Sequence, residues 1–147
     1  MSLSSLLAMV LLALPAQAHP GGHGGQGEHT APERAPKAET PVPETLAGVM
    51  AELTESLEAA DTALATFKIA DLHRHGDRIT LLARAVPARA ISTANPANPE
   101  LVLAASTRLE ARVAEVLRLA DKGDLEASKA AMAQATEDLK NLRALAE

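Results

Sequence analysis

The sequence predicts an all-α protein. The expected architecture is an up-down-up-down antiparallel four-helix bundle behind a signal peptide and a disordered His/Gly/Pro-rich tail. Three observations carry this. Alanine and leucine, interspersed with Glu, Lys and Arg, dominate a chain that is 47% hydrophobic and only 1% aromatic, a helix-forming composition. From about Pro43 onward apolar residues recur near every 3.6 positions. Short turn signals divide that region into four stretches. The expected division is 1–18 for the signal, 19–42 for the tail and 43–147 for the bundle.

Leu6 to Leu14 is an unbroken apolar run, closed by Pro15 and followed by Ala16-Gln17-Ala18, the small-residue pattern of a cleavage site. Residues 1–18 contain no Lys or Arg, so only the amino terminus supplies the usual positive charge. The rival reading, a membrane anchor, needs about 20 apolar residues, and glycines and prolines follow instead. Cleavage after Ala18 predicts a periplasmic protein without stable membrane insertion. No cysteine occurs anywhere. This excludes disulfides, iron–sulfur clusters, thiolate zinc and covalent haem.

Residues 19–42 are too poor in large apolar side chains to offset the entropy of ordering them. Beyond them, Pro43 and Glu44 suit the first turn of a helix reaching Ala65. Its apolar face is Leu46, Val49, Met50, Leu53, Leu57, Ala60 and Leu64. A second helix is expected over Ile69–Val86, with Leu72, His75, Gly76, Ile79, Leu82 and Val86 on one face and Pro87 ending it. Ala88–Pro99 reads as a loop. The third helix starts at Pro99 behind Asn98 as cap, with Val102, Ala105, Leu109, Val113, Val116 and Ala120 as its face, and Lys122-Gly123 closes it. Asp124 caps the fourth. Its face is Leu125, Ser128, Met132, Ala135, Leu139, Leu142 and Ala146. Short links at Phe67 and Gly123 make each flanking pair antiparallel.

Composition narrows the function. The net charge is −5, which argues against a nucleic-acid partner. Phe67 is the sole aromatic residue, so bases find no stacking platform. No phosphate-cradling loop, nucleophile elbow or His-Glu-x-x-His occurs, so neither nucleotide binding nor an enzyme is expected. The Glu-x-x-His pairs of di-iron bundles are missing. The fourth helix has no histidine to ligate a b-type haem.

Histidine offers the remaining chemistry. His23-Gly24-Gly25 is apt for Cu(II): the imidazole anchors the ion and glycine amides complete a tetragonal set. It is similar to the His-Gly-Gly units of prion-protein octarepeats, in a single copy and without tryptophan. Cleavage after Ala18 gives His19 a free α-amine beside its imidazole, a bidentate chelator. Pro20 lacks the amide that a longer chelate needs. His29 adds a third imidazole. The plainer alternative is a flexible leader with no specific ligand.

A second cluster is His73-Arg74-His75-Gly76. Helical residues two apart project about 200° from each other, so His73 and His75 cannot hold one ion together. By periodicity His75 faces the core stripe, His73 lies nearer its flank, and Gly76 leaves room beside His75. In an up-down bundle His75 and Met132 stand at similar heights, and a His–Met pair suits copper more than zinc. The plainer alternative is a partly buried histidine bonded to a neighbouring helix.

At His73-Arg74-His75-Gly76-Asp77-Arg78-Ile79, followed by Leu82 and Val86-Pro87, the chain resembles a family of uncharacterised small exported bacterial helical proteins. That family carries a His-rich leader and often lies beside heavy-metal efflux genes. Its pattern reads His-x-x-small-x-x-Ile and then an aliphatic run closed by Leu-Pro or a similar pair. His73, Gly76 and Ile79 fill those places. Gly76 stands where alanine is usual, and the large aromatic expected in the first helix is missing, with Met50 nearest. The resemblance implies a periplasmic accessory role in metal homeostasis, with a metal-efflux component as partner.

The expected function is therefore a non-enzymatic buffer or carrier for copper, zinc or another divalent transition metal. Its candidate ligands are His19, His23, His29, His73, His75 and Met132. The alternative is an envelope interaction module or chaperone-like bundle that uses no histidine and exposes an apolar groove.

Overall fold

A computed structural model describes residues 40–92 and 98–146. The signal and almost all of the tail expected over 1–42 lie outside the described residues. Four helices follow one another: α1 (Leu46–Ala65), α2 (Ile69–Ile91), α3 (Pro99–Asp121) and α4 (Leu125–Ala146). They form an up-down-up-down bundle, and no strand occurs among the described residues.

Capping chemistry sets the starts. α1 begins at Leu46, not at Pro43, because Thr45 takes the cap: its Oγ1 accepts from the Gly48 amide at 3.1 Å. Pro43 packs against Gly48, where a Cβ would come within 2.9 Å of the proline ring. Asn98 Oδ1 accepts from Glu100 and Leu101 ahead of α3. Asp124 Oδ1 accepts from Ala127 at the head of α4. Both follow the local rule that a short polar side chain satisfies the orphan amides of a first turn.

The two tight turns use one device. After α1 the Lys68 amide reaches back to Ala63 O and Phe67 to Leu64 O. After α3 the Asp124 amide reaches Leu119 O and Gly123 reaches Ala120 O. Each is a Schellman closure, which requires a left-handed residue. Gly123 adopts φ +73° at no steric cost, whereas Phe67 adopts φ +56° against a penalty of about 1–2 kcal/mol for a side chain with a Cβ.

Pro87 does not end α2. The helix runs through it to Ile91. An interior proline removes one ladder bond and costs about 3 kcal/mol. Burial of Val86 and Ala90 on the core face holds the last turn regardless. Arg89 Nε adds a bond to the Pro43 carbonyl.

The apolar faces expected for α1 and α3 are buried throughout, and those of α2 and α4 nearly so. The exceptions are His75 and Leu125, both half-buried. The α2–α3 register is antiparallel and shows in three pairings: His73 with Asp121, Gly76 with Leu117, and Arg84 with Glu110. The α1–α2, α2–α3 and α3–α4 seams are broad. The α1–α4 seam is thin, and α2 meets α4 only marginally across the diagonal.

Ser106 is 1% exposed, and its hydroxyl has no hydrogen-bond partner among the described residues. An unsatisfied buried hydroxyl costs about 1–3 kcal/mol. Ser106→Ala is therefore expected to raise the thermal unfolding midpoint. A lowered midpoint in calorimetry would show that the hydroxyl is satisfied.

Candidate functional site

The α2 histidines occupy an unbroken helix, so they point apart as their spacing requires. His73 bridges helices: its Nε2 lies 2.8 Å from Asp121 Oδ1, the last residue of α3. Their side chains are 41% and 51% exposed. Position 121 is 48 residues from position 73, and no local sequence signal joins them.

His75 departs from the core position expected of it. It is half-buried at the flank of α2, while Leu72, Gly76 and Ile79 take the core. The room expected beside His75 is filled. Leu117 of α3 packs onto Gly76, and a Cβ there would meet its Cδ1 at 2.9 Å. The glycine thus serves close helix approach. Met132 belongs to the core cluster, on a helix that barely meets α2. Among the described residues no three His, Asp or Glu side chains converge in a way that could hold a metal ion. His19, His23 and His29 lie outside the described residues.

Arg78 is an anchor that periodicity did not single out. Its guanidinium pairs with Glu52 of α1, Nε to Oε1 at 2.7 Å, and donates to the carbonyls of Thr40 at 2.6 Å and Pro41 at 3.1 Å. Together with Arg89, it holds the described segment that leads into α1 against the side of α2. The signal available in the sequence was an arginine facing no acid on its own helix at i±4, except that its partner is set by tertiary register.

Two other surfaces stand out. An open cleft of about 380 Å³ follows the thin α1–α4 seam. It runs over buried Leu57 and Leu139, with Glu58 and Asp61 on one side and Lys140 and Arg143 on the other. Arg143 already donates to Thr54 Oγ1 at 2.7 Å across it. Ile91, Leu101 and Leu103 expose apolar surface near the α2–α3 end, and Phe67 is 66% exposed at the opposite end. No described helix is long and apolar enough to cross a membrane.

Comparison with known proteins returns no matching family model, no matching curated protein and no matching solved structure.

Proposed function

We propose that this protein is a periplasmic metal-binding accessory, a buffer or carrier of copper or zinc in metal homeostasis, and not an enzyme. The observation that carries the reading is the leader: His19, His23-Gly24-Gly25 and His29 in a chain without cysteine. Neutral imidazole is a good ligand for both metals, and cleavage after Ala18 adds the His19 amine. The bundle's part is support. Arg78 and Arg89 grip the carbonyls of residues 40, 41 and 43, so that short segment is fixed against the bundle. A metal-efflux component of the envelope is the partner this role calls for.

Titration of the exported protein with Cu(II) and Zn(II) tests the reading. Micromolar uptake is expected, and it should weaken or fall in stoichiometry when His19, His23 and His29 are all replaced by alanine. Affinity no better than millimolar, unchanged by those replacements, sinks it.

A second reading is favoured by exposed Ile91, Leu101 and Leu103: docking on an envelope protein without metal. It predicts that polar substitutions there abolish partner capture while the histidine replacements leave it intact.

A further inference from the structure

We propose that the α1–α4 face is a self-association surface, on which a second copy of this chain docks about a twofold axis parallel to the helices. The association uses no histidine and is independent of the metal-carrier reading.

The seam is left open within one copy. α1 meets α4 far less broadly than it meets α2, and the cleft between them runs over Leu57 and Leu139. Its walls carry opposite charge, with Glu58 and Asp61 on α1 and Lys140 and Arg143 on α4. The acids are not neutralised across the cleft. Glu58 and Asp61 have no ion-pair partner among the described residues. Lys140 pairs with Glu137, three residues back on its own helix. Arg143 spans the cleft to Thr54 Oγ1 and the Met50 carbonyl. An acidic wall and a basic wall therefore stand side by side, each facing outward.

Symmetry and charge together select the arrangement. A twofold axis across the helices would set α1 against α1 and α4 against α4, so acids would meet acids and bases would meet bases. An axis along the helices sets α1 of each copy against α4 of the other, at unchanged height. Glu58 and Asp61 then face Lys140 and Arg143 of the second copy, and the contact occurs twice, as an isologous interface requires. Opposed like charges are penalised, and complementary ones fix register and partner choice. The methylene stem of each Lys140 covers apolar surface beside Leu57 and Leu139.

The extent of the face sets the strength. Two helices of 20 and 22 residues lie along it. At about 30 Å long and about 10 Å wide each, they offer about 600 Å² per copy. A total near 1,200 Å² is at the low end for specific interfaces, so a weak dimer is expected, with a dissociation constant on the order of 10–100 μM.

Sedimentation equilibrium of the exported protein tests this, with EDTA present so that no metal bridges two copies. A monomer–dimer equilibrium is expected, weakening by about tenfold or more between low and high salt as the charges are screened. Glu58→Lys with Asp61→Lys should abolish the dimer, and so should Thr136→Glu with Lys140→Glu. All four positions are exposed, so unchanged unfolding midpoints are expected. Mixing the two variants in equal amounts should restore a dimer, because each basic α1 wall then faces an acidic α4 wall and the other seam keeps its native charges. Restoration also shows that both variants are folded. A chain that is monomeric at every concentration overturns the association. A dimer that survives both charge reversals, or one lost in both variants without rescue on mixing, overturns this face as its site.

Discussion

Leu109→Ala is expected to destabilise the bundle by about 2–5 kcal/mol. Leu109 is 0% exposed, so truncation removes its full transfer energy from water and leaves a cavity. The surrounding core is rich in alanine, with Ala60, Ala63, Ala83, Ala90, Ala105, Ala120, Ala131 and Ala135 buried. Alanine has no rotamer with which to fill a void, so relaxation is poor and the cost belongs near the upper part of that range. A domain of ordinary stability holds about 5–15 kcal/mol in total, so this loss is a large share. With a urea slope of about 1–3 kcal/mol/M, the midpoint should fall by about 1–3 M. Leu109→Met, which conserves volume, should cost less than about 1.5 kcal/mol. Equal losses for both variants would show that the core is too loosely packed for cavity arguments to hold.

Arg78→Met is the second expected large effect. The arginine is 16% exposed and its partner Glu52 is 25% exposed. The substitution keeps the aliphatic stem and deletes three charge-assisted bonds, to Glu52 and to the Thr40 and Pro41 carbonyls. Hydrogen bonds to charged groups contribute about 1.5–3 kcal/mol each when satisfied. Water can take over at the partly exposed Thr40 and Pro41 carbonyls, so the net loss should be about 2–3 kcal/mol. The effect should also be local: amide exchange should rise at Gly48 and Val49, whose amides are held by Thr45, before the rest of the bundle responds. Glu52→Gln in the same background should be strongly non-additive, because both changes break one pair. Additive losses with unchanged exchange would mean that Arg78 does not hold this segment.

Much of the bundle was legible because its determinants are local. A 3.6-residue period needs only neighbours three and four positions away. So the faces through Leu46–Leu64 and Val102–Ala120 agree with the burial found. Asn98 and Asp124 cap amides within three residues, and Gly123 supplies the one left-handed residue of its turn. Local rules misled where tertiary contacts outweighed them. Pro87 reads as a stop by its own chemistry, yet the buried positions beyond it carry α2 to Ile91. Phe67 holds a backbone conformation that its side chain disfavours, because the α1–α2 closure demands it.

The candidate site divides the same way. His73 could be singled out as an imidazole on the flank of a helix, whereas Asp121 could not be named its partner without the α2–α3 register. His75 was placed one position too near the core, since Gly76 and Leu72 define the stripe and Leu117 occupies the space between helices.

The amino-acid sequence by itself determined four amphipathic helices, the capped starts of α3 and α4, and the antiparallel order of the helices, because each follows from residue type and short-range spacing. Only the tertiary structure decided which helices meet broadly, where Arg78 finds its partners, and that His73 faces Asp121. Those contacts join residues far apart in the chain, and helix register, set by side chains such as Leu117 seated on Gly76, brings them together.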